Sequence, residues 1–427
     1  MQTKKITGKY SNQAQFISLL VMLGLIFLSV VLVRPFYLDI TDQAGPFYLT
    51  FSPADLDLDG DLDVLVHNMR KPGEFVAWSG GALWTNQGGI QGGQAGQFAY
   101  RLNDIEGGWT STTADLDGDG YPDVLVYEGY GRSLRLGINA GKTQDSAAGV
   151  FKHPVYIPIP DNKVEEYGVL ITGDINGDER IDSLLLGRGH FYVEQGQPYP
   201  KNVSWVWLNK VNSDGYILKE TAIIAALDGL SVADAALGDL DGDSDLDLVI
   251  AASPTEAKSM DGTLVLVLLN NGAGSFSDSG QRFPAADSNS LAMGDLDSDG
   301  DLDILLGYAS GVMLLMNQGG IQAGQAGSFT TADSAISGGL KRSVFLSDMD
   351  GDGDQDALLV GNQRGQLWWN SGNGSFTRSS LRIPFLDRQD FTVGDFNGDG
   401  SPDIFVAEYD KSARVWFNDG KGNFRTD

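Results

Sequence analysis

Hydrophobic positions along this chain follow two regimes. Residues 16–33 (FISLLVMLGLIFLSVVLV) form one almost unbroken apolar run, whereas the chain beyond residue 35 alternates short apolar runs with clusters of Asp, Asn and Gly. The first run lies in a 24-residue stretch without charge between Lys9 and Arg34. At helical rise its residues span about 27 Å, close to a bilayer core, so a transmembrane helix is predicted over 16–33. A cleaved signal peptide is the rival, but VVLVRPFY lacks the small residues of a cleavage site, and an uncleaved anchor is expected. Lys4, Lys5 and Lys9 precede the helix, so the positive-inside rule predicts a cytoplasmic tail at 1–15 and a periplasmic or extracellular remainder.

In the second regime the apolar runs DVLV, DVLV, DSLLL, DLVI, DILL, DALLV and DIFV have the length and branching of buried strands. Each begins on the last residue of an aspartate-rich nonapeptide. These are DLDLDGDLD from Asp55, DLDGDGYPD from Asp115, DINGDERID from Asp174, DLDGDSDLD from Asp239, DLDSDGDLD from Asp295, DMDGDGDQD from Asp348 and DFNGDGSPD from Asp395. They recur every 47 to 65 residues. A second landmark follows in each repeat, an apolar or Trp-bearing strand ending in Asn, then a glycine turn and an aromatic or apolar residue. LLNNGAGSF, WWNSGNGSF and WFNDGKGNF, ending at Phe276, Phe376 and Phe424, are the clearest copies. About four strands per repeat at this period predict an all-β, seven-bladed propeller over 36–427; calcium-binding parallel β-helices repeat about every nine residues.

The nonapeptide chemistry is that of a hard-cation loop. Carboxylates at positions 1, 3 and 5 can converge on one ion, and glycine at position 6 suits the tight turn. Position 12 carries Val66, Val126, Leu185, Ile250, Leu306, Leu359 and Val406, so the glutamate of an EF-hand is missing and the closing ligand is expected at the aspartate of position 9.

The charge sharpens this reading. The net charge of −28 excludes a phosphate-binding surface and hence nucleic acid, and it calls for neutralising cations. The 56 glycines agree with many turns, and the absence of cysteine removes disulfides, thiolate metal sites and thiol nucleophiles.

The repeats resemble the FG-GAP/VCBS family of integrin alpha-subunit propellers and many bacterial surface proteins, over about Phe36 to Asp427. The resemblance implies up to seven Ca²⁺, mainly structural, held by side chains at positions 1, 3, 5 and 9 and the carbonyl of position 7. Carried onto this chain, with the position-7 residue fourth in each set, the ligands are Asp55, Asp57, Asp59, Asp61 and Asp63; Asp115, Asp117, Asp119, Tyr121 and Asp123; and Asp174, Asn176, Asp178, Arg180 and Asp182. The later sets are Asp239, Asp241, Asp243, Asp245 and Asp247; Asp295, Asp297, Asp299, Asp301 and Asp303; Asp348, Asp350, Asp352, Asp354 and Asp356; and Asp395, Asn397, Asp399, Ser401 and Asp403. The third loop departs most, with Asn176 at position 3 and Glu179 in place of glycine, and is expected to bind most weakly. The fourth has Ser244 at the glycine position, and Asn397 lowers the charge of the seventh.

Only three residues follow Phe424, so the outer strand of the last blade is expected from residues 36–43. With Arg34 and Pro35 alone between helix and strand, that arrangement would turn the aspartate loops toward the bilayer. Recognition would then fall to the opposite face, where long connections carry Trp78, His190, Phe191, Tyr192 and Tyr199, with Trp109 and Tyr130 near the same rim. Two nearly identical turns, NQGGIQGGQAGQF (86–98) and NQGGIQAGQAGSF (317–329), read as adaptable docking loops or as a plain duplication. Catalysis has thin support, since no nucleophile motif occurs and His67, His153 and His190 lie in different repeats. The expected role is recognition of a protein or glycan, in adhesion or as an accessory or scaffold subunit of a membrane complex. A cell-envelope polysaccharide lyase or hydrolase using His67 and His190 is the alternative.

Overall fold

Every aspartate loop is followed by a strand whose first four residues are buried, such as Asp123–Tyr127, with Val124, Leu125 and Val126 fully inaccessible. A strand buried on both faces must sit in the middle of a sheet and between two neighbouring sheets, and this requirement organises the molecule. The computed structural model describes residues 50–426, interrupted at connecting segments of which 68–81 and 189–203 are the longest. It forms seven four-stranded antiparallel sheets, each built from consecutive strands.

The first blade contains β1 (Thr50–Ala54), β2 (Asp63–His67), β3 (Ala82–Asn86) and β4 (Phe98–Leu102). The second contains β5 (Thr110–Ala114), β6 (Asp123–Tyr127), β7 (Ser133–Gly137) and β8 (Val155–Pro158), and the third β9 (Tyr167–Gly173), β10 (Asp182–Arg188), β11 (Trp205–Asn209) and β12 (Leu218–Ile223). After a 3-10 turn at Ala225–Leu227 come β13 (Leu230–Gly238), β14 (Asp247–Pro254), β15 (Leu264–Leu269) and β16 (Ser277–Pro284). The fifth blade is β17 (Ser290–Gly294), β18 (Asp303–Tyr308), β19 (Gly311–Asn317) and β20 (Phe329–Ala332). The sixth is β21 (Ser343–Ser347), β22 (Asp356–Gly361), β23 (Arg364–Asn370) and β24 (Phe376–Pro384), and the seventh β25 (Asp390–Gly394), β26 (Asp403–Ala407), β27 (Ala413–Asn418) and β28 (Phe424–Thr426). The predicted all-β, seven-bladed propeller with four strands per repeat is therefore the observed fold.

Seven apolar clusters sit between successive blades. One joins Leu56, Leu65 and Leu83 of the first blade to Ile105, Val124 and Phe151 of the second. Another joins Val64, Val66 and Trp84 of the first blade to Phe396, Phe405 and Phe417 of the seventh, and so closes the ring. Position 2 of each aspartate loop (Leu56, Leu116, Ile175, Leu240, Leu296, Met349 and Phe396) anchors that loop in these clusters at 0–2% exposure. The closing seam is the most aromatic: Phe405 meets Phe51, Trp84, Phe98 and Phe396 with ring centroids 4.9 to 6.3 Å apart.

The expectation that the last blade lacks an outer strand of its own is corrected. The turn after Asn418 returns Phe424–Thr426 alongside β27, pairing Asn418 with Phe424 and Trp416 with Thr426. Residues 36–43, expected in that place, lie outside the described residues, as does the helix predicted at 16–33. Among the described residues no helix is long and apolar enough to cross a membrane.

Candidate functional site

In each blade the aspartate loop joins the first strand to the second. The antiparallel order therefore gathers all seven loops at one end of the sheets and the second-to-third connections at the other. Trp78, Trp109, Tyr130, His153, His190, Phe191, Tyr192 and Tyr199 lie outside the described residues.

Each loop is wound by its own carboxylates. In the second loop Asp115 accepts backbone N–H bonds from Gly118, Asp119 and Gly120, Asp117 accepts from Asp119, and Asp119 accepts from Tyr121, at 2.7–3.2 Å. This winding drives two residues into the left-handed region, position 4 as well as the position 6 singled out from sequence. Gly118 and Gly120 have φ of 79° and 91°; the first loop uses Leu58 (54°) and Gly60 (97°), and the fifth Ser298 (61°) and Gly300 (95°). In the third and fourth loops Glu179 (65°) and Ser244 (74°) hold position 6. Four loops thus carry one strained non-glycine residue.

The winding also sets carboxylate oxygens together. In five loops one oxygen from each of three aspartates lies within 4.8 Å of the others: Asp55, Asp57 and Asp59; Asp115, Asp117 and Asp123; Asp239, Asp241 and Asp247; Asp295, Asp297 and Asp299; and Asp348, Asp350 and Asp356. Oδ1 of Asp241 and of Asp350 is buried and receives no hydrogen bond. A buried anionic oxygen without a donor is costly, and a hard divalent cation is the partner that this all-oxygen donor set fits. The third and seventh loops relieve the crowding internally. Asn176 donates to Asp178 at 3.3 Å and Asn397 to Asp399 at 3.0 Å, and Arg180 adds an ion pair to Asp178 at 3.6 Å.

The aspartates of position 9 are the most buried members, at 0–1% exposure for Asp63, Asp123, Asp182, Asp247, Asp303, Asp356 and Asp403. Burial pushes their carboxyls up, against the hydrogen bonds they accept, to about 8 at Asp63, about 7 at Asp123, Asp303, Asp356 and Asp403, and about 6 at Asp182 and Asp247. Asp61, at position 7, is buried with both oxygens lacking donors and is raised to about 7 by desolvation and then by Asp59.

The asparagine at the end of each third strand, or one or two residues past it as in Asn270 and Asn139, is visible in the sequence only as a landmark and proves to be part of the site. Its backbone N–H donates to Oδ1 of the position-9 aspartate in its own blade at 2.7–2.8 Å, as in Asn139 to Asp123 and Asn209 to Asp182. Its Nδ2 reaches the neighbouring loop, donating to the position-2 carbonyl of the preceding blade. The bonds run from Asn139 to Leu56, Asn209 to Leu116, Asn270 to Ile175, Asn317 to Leu240, Asn370 to Leu296 and Asn418 to Met349, all at 2.7–2.8 Å. Asn86 completes the circle by donating to Phe396 of the seventh blade at 2.8 Å. A buried Asn at a strand end in all seven repeats was the available signal; its partner in another blade was not.

The two glutamine-glycine turns share one conformation over their described residues. Gln87 pairs with Gln97 and Gly93, Gln318 pairs with Ser328 and Gly324, and Asn86 and Asn317 accept from Gly96 and Gly327. Gly88 and Gly319 lie so close to Asp61 and Asp301 that an added Cβ would overlap their Oδ2 atoms.

Family models match six of the seven aspartate loops, all but the one at 174–182. One described as FG-GAP-like repeat matches residues 55–126, 239–306, 348–406 and 395–427, more than half of the chain, and one described as FG-GAP repeat matches 107–150. No curated protein matches. Among solved structures, an Agrocybe aegerita lectin, described for specific recognition of non-reducing terminal N-acetylglucosamine, is similar with a TM-score of 0.53 at 20% identity. That match covers 82% of this chain and 87% of the lectin. A Lactobacillus plantarum protein gives 0.43 at 11% identity, covering 79% and 85%. A chain of the Photorhabdus luminescens Tc holotoxin pore gives 0.39 at 18%, covering 85% of this chain and 16% of its own. At these identities the lectin shares the fold.

Proposed function

Because the chain belongs to the FG-GAP-like repeat family, we propose that it is a membrane-anchored, calcium-stabilised propeller displayed outside the cytoplasm to recognise a glycan or a protein. The observation that carries the cation reading is the set of five carboxylate triads, with the donorless buried oxygens of Asp241 and Asp350 among them. Side chains at positions 1, 3, 5 and 9 and the carbonyl of position 7 would hold each ion, giving the oxygen-rich shell calcium requires. Seven such ions would offset about half of the net charge of −28. The third loop, whose negative charge is already reduced by Asn176 and Arg180, would be the weakest site.

Recognition is the role that suits a rigid ring with variable connections at the end opposite its cation loops. The lectin of similar fold supports a glycan as one class of ligand, and the aromatic residues of the long connections suit either sugar or protein contact. The apolar run at 16–33, with lysines before it, supports a single-pass anchor with the propeller periplasmic or extracellular, free to serve as an accessory or scaffold subunit of a membrane complex.

The test uses the full chain purified in mild detergent. It should melt at markedly lower temperature in excess EDTA than in calcium, and it should bind members of a glycan array or bring down a stable protein partner. An unchanged melt would remove the calcium reading. Turnover of a polysaccharide that disappears in a His67→Ala/His190→Ala variant would replace recognition by catalysis.

A further inference from the structure

Each strand-end asparagine touches two aspartate loops at once. In the fifth blade Asn317 donates its backbone N–H to Asp303 at 2.8 Å, while its side chain donates to Leu240 of the fourth blade's loop at 2.8 Å and to Leu302 of its own at 3.3 Å. Leu240 in turn donates its N–H to Asp247, the position-9 aspartate of the fourth loop, at 3.0 Å. A continuous path of buried hydrogen bonds therefore runs from Asp303 through Asn317 and Leu240 to Asp247, and its members are 0–1% exposed. The sixth blade continues it, because Asn370 binds both Asp356 and Leu296, and Leu296 binds Asp303. From the second blade to the seventh the same bonds recur, and Asn86 joins the last loop to the first.

We propose that the seven asparagines are positioning residues that couple the aspartate loops, so that a cation ordering one loop also orders the loops of the adjoining blades. The proposal rests on the cation reading above. Its physical basis is that in six of the seven, Asn317 among them, both Nδ2 hydrogens are committed to carbonyls of different loops in a dry seam, while Asn370 commits its side chain to Leu296 of the neighbouring loop. One loop cannot shift without moving the asparagine or leaving a buried carbonyl unsatisfied. Binding that orders the first loop reduces what the second must still lose in freedom, which is coupling without any gross rearrangement. The direction is fixed as well, since each asparagine of the second to seventh blades reaches the blade before it in sequence, and Asn86 of the first blade reaches the seventh.

The experiment compares the full chain with its Asn317→Asp variant, which keeps the size and the Oδ1 acceptor but loses both Nδ2 donors. Calcium alone is the probe, read by calorimetry and by peptide-level hydrogen exchange. The expected result is faster exchange, roughly tenfold or more, in both 239–247 and 295–303, with 55–63 and 395–403 unchanged, and two weakened calcium sites rather than one. Loosening confined to 295–303, or spread evenly over all seven loops, would overturn the coupling. If Asn317→Asp does not fold, Asp299→Asn removes one carboxylate from the fifth loop without touching the seam; it should loosen 239–247 and 348–356 as well as 295–303, and an effect on 295–303 alone overturns the proposal. A wild-type chain that takes up no calcium removes the cation reading and the coupling with it, whereas calcium uptake with one loop affected removes only the coupling.

Discussion

Replacing Leu58, Glu179, Ser244 and Ser298 by glycine should stabilise the propeller. All four stand in the left-handed region, with φ between 54° and 74°, where their counterparts in other loops are glycine. A side chain there costs about 1–2 kcal/mol, and glycine returns about 0.5–1 kcal/mol of that through the greater freedom of the unfolded chain. The net gain is about 0.5–1 kcal/mol per site and about 2–4 kcal/mol for the fourfold variant if the four loops act independently. Leu58 is the cleanest case because its side chain is 50% exposed and loses little packing. Ser298 should gain least, since its hydroxyl donates to Asp354 in the next loop at 3.3 Å. The control is the reverse change, Gly118→Ala. Its φ is +79° and an added Cβ meets no atom within 4 Å, so any loss is backbone strain alone, about 1 kcal/mol. Denaturant unfolding of each variant in calcium and in EDTA measures both signs. A Leu58→Gly chain no more stable than wild type, together with a tolerated Gly118→Ala, would refute the reasoning.

The buried position-9 carboxyls make the pH profile diagnostic. Their folded values of about 6 to about 8 lie above the ordinary 3.8, so the metal-free fold binds more protons than the unfolded chain and should lose stability as pH rises from about 4 to about 8. In calcium the trend should reverse, because protons then compete with the ion; unfolding midpoints that do not fall with pH in EDTA would contradict this. Phe405→Ala empties the aromatic seam between the first and last blades and should cost about 3–5 kcal/mol in denaturant unfolding, whereas a loss below about 1 kcal/mol would show that the seam does not hold the ring closed. Gly319→Ala forces Asp301 aside and should weaken the fifth-loop calcium site most strongly by calorimetry, with smaller losses of affinity in the adjoining loops; affinities unchanged from the parent chain would contradict this.

The sequence by itself determined what depends on neighbours within a few residues. Three to five carboxylates at alternating positions, a tight turn and a branched apolar run make a loop entering a strand wherever they occur, and sevenfold recurrence sets the number of blades. Position 9 as a buried closing residue was legible for the same reason. The need for a left-handed residue at position 4 was not, because Leu58 and Ser298 hide it where glycine would have declared it. With only three residues after Phe424, the sequence points to 36–43 for the outer strand of the last blade, yet one turn beside Asn418 is enough to pair Phe424–Thr426 with β27.

Tertiary structure alone decided which partner each asparagine takes. Its side chain spans 69 residues from Asn418 to Met349 and 310 residues from Asn86 to Phe396, separations over which no local pattern carries information. A hydrogen-bond donor in a sequence announces a need without an address. The address is supplied only when seven apolar seams close the ring and bring each loop's carbonyl against the next blade.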